Sequence, residues 1–234
     1  MSTEPDTRDY WQSHYDSMAK HESLYLFDAE SNDYFARLKR SVPLSGNIRV
    51  LDFGCGLGFV TRLLAAEAGE VGYWDYSANM LETAAARLDG TTNTTRIELG
   101  DGAMPAEKFD LIVVNSVIQY MEQDVLESWL ERWRELLNDD GKLLISDIIL
   151  PTPAFLTEVW DSLRFARAHG FLVKTLKKDF MQYVRYLRAR RQSSMSRYAR
   201  EAFIELVESH GLSAQVLPEN LTYRRNRYSV LLSK

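Results

Sequence analysis

Short apolar strands alternate with amphipathic helices over the first 150 residues, and this alternation constrains the fold more than any other feature. Strands are predicted at 49–53, 70–74, 95–99, 109–114 and 142–150, and helices at 59–67, 78–88 and 124–137. The run Phe109-Asp110-Leu111-Ile112-Val113-Val114 is typical of a strand that is buried on both faces. The alternation predicts an α/β fold, a doubly wound and mostly parallel sheet with helices on both faces.

The last third of the chain departs from this alternation. Two short strands at 213–217 and 227–232 are joined by a polar loop too short for a crossover helix, so we expect them to pair antiparallel at the sheet edge. A helix is predicted over 195–209. The remaining predictions are a turn at 138–141, helices at 7–20 and 29–42 before the sheet, and helices at 154–168 and 171–191 that the sheet does not need.

Composition places the chain among globular proteins. Of its 234 residues, 45% are hydrophobic and 26% charged, which excludes a disordered chain or a disulfide-stapled miniprotein. The single cysteine, Cys55, cannot form an intrachain disulfide and favours a reducing compartment. No signal peptide is visible, and no apolar run reaches the roughly 20 residues of a membrane span. We therefore expect a cytoplasmic protein without a membrane span.

The charge is divided unevenly along the chain. Residues 1–150 hold 13 basic and 26 acidic side chains, a net charge of −13. Residues 151–234 hold 15 basic and 7 acidic side chains, a net charge of +8. Such an asymmetry indicates two roles on one chain, or self-association.

A glycine-rich turn connects the first predicted strand to its helix. The strand runs into Gly54-Cys55-Gly56-Leu57-Gly58, where glycines let the backbone approach a ligand and turn sharply into the helix. A dinucleotide-binding loop would read G-x-G-x-x-G, but Phe59 stands where its third glycine belongs. Taken alone, the loop also fits a tight strand–helix turn that binds nothing.

The G-x-G-x-G spacing after the acidic Asp52 resembles instead the first motif of class I S-adenosylmethionine-dependent methyltransferases. Later features resemble the same family: Asp75 after the next strand, Gly100-Asp101-Gly102 after the third, and Asn115-Ser116 after the fourth. The resemblance is close over 50–150, and it extends to the last helix and strands only in their order and type. It implies a Rossmann-like, seven-stranded sheet with an antiparallel final strand, and S-adenosylmethionine as cofactor, with S-adenosylhomocysteine as product.

The resemblance also implies a division of the chain into four segments. Residues 1–45 would form N-terminal helices over the cofactor site, and 46–150 the cofactor-binding core. Residues 151–195 would form a helical lid or substrate insertion, and 196–234 the last helix and closing strands.

Roles for individual residues follow from the resemblance. Asp52 would face the ammonium group of the methionine moiety, Asp75 would accept hydrogen bonds from both ribose hydroxyls, and Asp101 would accept from the adenine amino group. Asp75 as a turn acid, Met80 as a core residue and Tyr15 as a packing residue are the alternative interpretations. The cofactor-binding candidates are Tyr15, Asp52, Gly54, Cys55, Gly56, Asp75, Tyr76, Met80, Asp101, Gly102, Asn115 and Ser116.

The sequence does not assign a general base. A hydroxyl or ammonium acceptor would need one, whereas a carboxylate or neutral amine would not. His14, Tyr120 and His169 are the catalytic candidates, and no metal is expected. His169, like His210, precedes a glycine at a predicted helix end, where a favourable charge at the helix C-terminus explains it equally well.

A basic stretch with interleaved tyrosines falls in the predicted lid. Residues 174–200 hold nine Lys or Arg and one acid, Asp179. The pattern favours a clamp for a small anionic acceptor. Nucleic acid is a weaker interpretation, because the sequence pI is about 5.5. A homodimer contact and a solvated helix face are the others. The substrate-binding candidates are Tyr120, Tyr183, Arg185 and Tyr186.

Together the resemblance and the basic stretch imply a methyltransferase that acts on a small, anionic metabolite by in-line displacement. An RNA or protein methyltransferase and a non-catalytic S-adenosylmethionine-binding scaffold are the alternatives.

Overall fold

A seven-stranded sheet forms the centre of the computed structural model, which describes residues 24–99, 104–152, 154–172 and 195–234. The strands are β1 (Arg49–Phe53), β2 (Glu70–Trp74), β3 (Thr94–Arg96), β4 (Phe109–Asn115), β5 (Leu137–Ile149), β6 (Ser213–Val216) and β7 (Arg227–Ser233). The helices are α1 (Leu24–Ser41), α2 (Phe59–Ala65), α3 (Ala78–Arg87), α4 (Gln123–Leu136), α5 (Phe155–Ala168) and α6 (Arg200–Ser209), with a 3-10 turn at Ile118–Tyr120.

The strand order is β3-β2-β1-β4-β5-β7-β6. β1 to β5 pair in parallel, whereas β7 pairs antiparallel with both β5 and β6. This confirms the predicted α/β fold, including its antiparallel closing strand. The order reverses between β1 and β4, so the crevice at their carboxyl ends is where ligands bind in sheets of this kind.

Alternate residues of the central strands face opposite layers of helices. Leu51 and Phe53 of β1 pack with Trp133 of α4, whereas Val50 packs with Leu38 of α1. Because both faces are covered, the central strands are mostly apolar. This arrangement explains the continuous apolar run of β4.

The structure corrects three of the predicted elements. The turn predicted at 138–141 lies inside β5, where four residues stand opposite the single residue Asp110 of β4 as an irregularity in the pairing. The helix predicted from Met195 begins only at Arg200, because the backbone before it bonds to other segments. Ser196 N donates to Gln119 O and Tyr198 N donates to Ile149 O, both at 2.9 Å. The third strand spans Thr94–Arg96 and not 95–99.

Two predicted elements are not tested. The helix at 7–20, and all but the first two residues of the one at 171–191, lie outside the described residues. Among the described helices, none is long and apolar enough to cross a membrane.

Candidate cofactor site and active site

The glycine loop, residues 54–58, follows β1 at the carboxyl edge of the sheet. Its three glycines have φ between 54 and 77°, the left-handed region that favours glycine. Gly54 N donates to Trp74 O at 2.8 Å, which fixes the loop to the end of β2. A Cβ at Gly54 would lie 2.4 Å from Val117 Cγ2, so the loop also abuts the segment after β4. Only glycine allows this close approach.

The Asp75 carboxylate bridges the glycine loop and the start of α3. Its Oδ2 accepts from Gly56 N and its Oδ1 from Ser77 N, both at 2.9 Å. Ser77 in turn caps α3, because its Oγ accepts from Met80 N at 3.3 Å. Burial raises the pKa of Asp75, and the two N–H bonds oppose that rise. Each carboxylate oxygen keeps a further lone pair, so Asp75 can still accept from a diol.

Asp52 lies beneath the loop and is buried, with 3% of its surface exposed. Thr61 Oγ1 of α2 donates to its Oδ2 at 2.6 Å. Burial raises the pKa of Asp52 to about 7; the Thr61 bond lowers it and the nearby Asp75 charge raises it further. A cation placed against this carboxylate would stabilise its ionised form.

The segment after β4 is held by side-chain bonds to β5. Asn115 Oδ1 accepts from Ser146 Oγ at 3.0 Å, and Ser146 also shares a 3.0 Å hydrogen bond with the Tyr34 hydroxyl. Ser116, with φ of 58°, donates from its Oγ to Asp147 Oδ2 at 2.7 Å. The side-chain oxygens of Asn115 and Ser116 are therefore engaged within the protein.

The catalytic candidates occupy two different places. Tyr120 ends the 3-10 turn after β4 and packs against Ile149 and Met195, on the acceptor side of the predicted site. His169 is the exposed C-cap of α5, and its Nδ1 donates to Phe165 O at 3.0 Å. This placement agrees with the helix-end interpretation of His169.

The remaining cofactor candidates differ in exposure. The Cys55 side chain is buried with Tyr73, Leu81, Ala84 and Leu88, and burial raises the pKa of its thiol. Met80 is buried, whereas Tyr76 is 67% exposed beside Asp75. The candidates His14, Tyr15, Asp101, Gly102, Tyr183, Arg185 and Tyr186 lie outside the described residues.

Sequence reasoning missed a buried polar network centred on Asp147 of β5. Its carboxylate accepts from Arg227 Nη1, from Thr222 Oγ1 at 2.6 Å and from Ser116 Oγ. Asn220 Oδ1 accepts from Asp147 N at 3.3 Å. The sequence did carry a signal for this network, since Asp147 is a charged residue within an apolar run. A charged residue in a buried strand is rarely without partners.

Within the ranges that the structure describes, no group of three or more His, Cys, Asp or Glu side chains is placed to hold a metal ion.

The G-x-G-x-G turn after β1 and the antiparallel closure by β6 and β7 together define a class of protein. They are features of the class I S-adenosylmethionine-dependent methyltransferase fold. A family model described as a methyltransferase domain matches residues 51–143, from β1 into β5. This match, across about 40% of the chain, and the methyltransferase relatives support a class I S-adenosylmethionine-dependent methyltransferase with S-adenosylmethionine as cofactor.

Two relatives of this chain are also named as methyltransferases. Trans-aconitate 2-methyltransferase of Rhizobium etli is 37% identical over 110 residues, which are 46% of this chain and 41% of that protein. Ubiquinone biosynthesis O-methyltransferase of Aromatoleum aromaticum is 25% identical over 186 residues, 78% of this chain and 74% of that protein. The match to the Rhizobium protein therefore spans less than half of its length.

A solved structure supports the fold over the whole chain. The DhpI-SAM-HEP complex is 14% identical, with a TM-score of 0.65 and 100% of both chains covered. At this identity the likeness concerns the fold alone.

Proposed function

We propose that this protein transfers the methyl group of S-adenosylmethionine to a small, anionic acceptor. The observation that carries the proposal is the bond between Asp75 and the glycine loop. This bond places the Asp75 carboxylate, which has lone pairs free to accept further hydrogen bonds, next to a loop whose positive φ angles favour glycine. The loop follows β1, where the strand order reverses and ligands bind in sheets of this kind.

The described residues fit the cofactor. A Cβ at Gly56 would meet no atom within 4 Å, so this side of the loop is open to a ligand. Asp75 would accept from the ribose hydroxyls. Asp52, beneath the loop, would stabilise the ammonium group, and this cation would in turn favour the ionised form of the carboxyl, whose pKa is raised by burial.

Bound S-adenosylmethionine supplies a methyl group that the positive sulfur already activates. The protein then has to align the acceptor and exclude water. In the proposed arrangement residues 46–150 bind the cofactor, and Tyr120 orients the acceptor from the turn after β4. A carboxylate acceptor would need no general base, which agrees with the placement of His169 at a helix end.

An anionic acceptor is supported by charge and by one relative. Residues 151–234 carry a net charge of +8. Within them Arg197 and Arg200 are exposed, and they follow Met195, which packs against Tyr120. The Rhizobium relative is named for trans-aconitate, a carboxylate. Both observations favour a carboxylate over a neutral acceptor.

The test begins with calorimetric titration of S-adenosylmethionine into the wild type, Asp75→Asn and the matched control Asp89→Asn. Asp89 is an exposed acid just after α3. We expect micromolar binding that Asp75→Asn weakens at least tenfold and Asp89→Asn leaves unchanged, because hydrogen bonds to a charged group contribute about 1.5–3 kcal/mol.

Methyl transfer is then measured with trans-aconitate, a neutral phenol such as catechol, RNA and a denatured protein mixture as acceptors. Turnover of the acid but not of the neutral phenol supports the proposal. Turnover of RNA or protein alone would establish the macromolecular alternative, and cofactor binding without turnover of any acceptor would favour the scaffold.

A further inference from the structure

A series of buried and partly buried polar side chains joins α5 to the residue after β4. Glu158 Oε1 of α5 accepts from Arg227 Nη2 at 3.1 Å, and Arg227 Nη1 donates to Asp147 Oδ2 of β5. The same Asp147 oxygen accepts from Ser116 Oγ at 2.7 Å. The side chains of Arg227 and Asp147 are 1% and 2% exposed, and that of Glu158 is 15% exposed. We call these four residues the relay.

The last link of the relay joins two residues with unusual backbone conformations. Ser116 and Asp147 have φ of 58 and 67°, and they are the two non-glycine residues with positive φ among those the structure describes. Their conformations are unfavourable for a residue with a Cβ and persist only where the surroundings hold them. The β5–β7 pairing shifts between Ile145 and Ile148, so Asp147 stands in an irregular stretch of its strand.

Ser116 is linked to the glycine loop through the next residue, Val117. The Val117 side chain fills the space that a Cβ on Gly54 would occupy. Ser116 N donates to Ser146 O at 3.1 Å, which sets the distance of this segment from β5. If Ser116 relaxed from its left-handed conformation, Val117 would move relative to the loop.

We propose that Arg227 is a positioning residue for the cofactor site. It holds Asp147 so that Asp147 holds Ser116, and it thereby links the position of α5 to the glycine loop without touching the cofactor. The inference rests on the proposed function, because it concerns the affinity of the same site for S-adenosylmethionine.

The chain offers a matched control in Arg225. Arg225 N and Nε donate to Asp161 of α5, at 2.9 and 2.6 Å, so this arginine anchors the same helix from the loop just before β7. It is not a member of the relay. A role confined to anchoring α5 would therefore make Arg225 and Arg227 equivalent.

The experiment titrates S-adenosylmethionine into wild type, Arg227→Lys, Arg225→Lys, Ser116→Ala and the Arg227→Lys/Ser116→Ala double variant, with melting curves for each. Lysine keeps the charge but cannot bridge two carboxylates as the planar guanidinium does. We expect Arg227→Lys to weaken binding about tenfold, and Arg225→Lys to leave it within about twofold. The double variant should bind no more weakly than Arg227→Lys alone, because both changes break one series of contacts.

Equal losses in the two arginine variants, or additive losses in the double variant, would overturn the inference and leave the proposed function standing. Absence of cofactor binding by the wild type would overturn the proposed function itself, and the inference with it. If Arg227→Lys does not fold, Glu158→Gln at the more exposed end of the relay replaces it in the same cycle, with the same expected non-additivity.

Discussion

Two neighbouring parts of one sheet edge are built in different ways. The glycine-loop side, residues 52–77, is held largely by backbone N–H groups: two loop N–H groups bond to Trp74 O, and Gly56 N bonds to the Asp75 carboxylate. The relay side is held by buried charged side chains from β5, α5 and β7. One side depends on what the backbone can adopt, and the other on which charges remain paired.

This difference determines how each side should fail. A change in the glycine loop disturbs the backbone and its hydrogen bond to Asp75, but it removes no member of a buried ion pair. A buried ion pair is different, because removing one partner leaves the other charge without compensation in a low dielectric. The relay side should therefore lose more folding stability, and the loop side should lose mainly cofactor affinity.

The largest expected effect is that of Asp147→Ala, which tests the relay side. It removes the partner of the buried Arg227, so the free energy of unfolding in urea should fall by roughly 3–5 kcal/mol. Glu219→Ala is the control, since Glu219 is about half exposed and pairs with Arg37 and Arg40 at the surface. That change should cost about 0–1 kcal/mol. Similar losses of unfolding free energy in the two variants would show that the relay side does not depend on its buried ion pair.

The second effect is a pH dependence on the loop side. The pKa of Asp52 is raised from 3.8 to about 7, so the folded state binds a proton that the unfolded state has lost over this window. The free energy of unfolding should therefore fall between about pH 4 and pH 7, and level off above. Asp52→Asn should remove this slope, with about equal stability at pH 4 and a gain of roughly 2–4 kcal/mol at pH 8.

Chemical denaturation at several pH values measures this difference between wild type and Asp52→Asn. Asp89→Asn should keep the wild-type slope. A wild-type slope retained in Asp52→Asn would assign the titration to another group.

The smallest expected effect on stability compares two glycines with similar backbones. Gly54 and Gly90 have φ of 77 and 81°, but a Cβ at Gly90 would meet nothing within 4 Å. Gly90→Ala should cost about 1 kcal/mol from strain alone. Gly54→Ala should cost about 2–3 kcal/mol, because the methyl group also displaces Val117.

Cofactor affinity separates the same two variants more sharply. Gly54→Ala should abolish micromolar binding of S-adenosylmethionine, whereas Gly90→Ala should bind as the wild type does. Equal affinities, measured by the same titration, would mean that the loop conformation is not what the cofactor needs.

The loop side was predictable from the sequence because its determinants are local. The spacing of Gly54, Gly56 and Gly58 after a buried strand implied a tight turn, and Asp75 follows the next strand. The N-cap at Ser77 is equally local, because serine is a preferred residue just before the first turn of a helix. The contact from Asp75 to Gly56 N was not predicted, because it depends on the register of β1 and β2.

The relay side was not predictable. Asp147 and Arg227 are 80 residues apart, and the lone charge in the apolar run of β5 did not show which residue would pair with it. The turn predicted at 138–141 was wrong for a related reason: its turn-forming residues are accommodated as an irregularity within β5, which only the pairing with β4 decides.

The sequence by itself determined the α/β alternation and the place of the glycine loop, and its resemblance to a known family implied the class of cofactor. The first two follow from periodicity and glycine sterics over a few consecutive residues. The tertiary structure alone decided how Asp75 meets the loop and how Ser116 is held in its left-handed conformation. These features arise from side chains brought together across the sheet, and the free energy of burying a charge depends on partners that are distant along the chain.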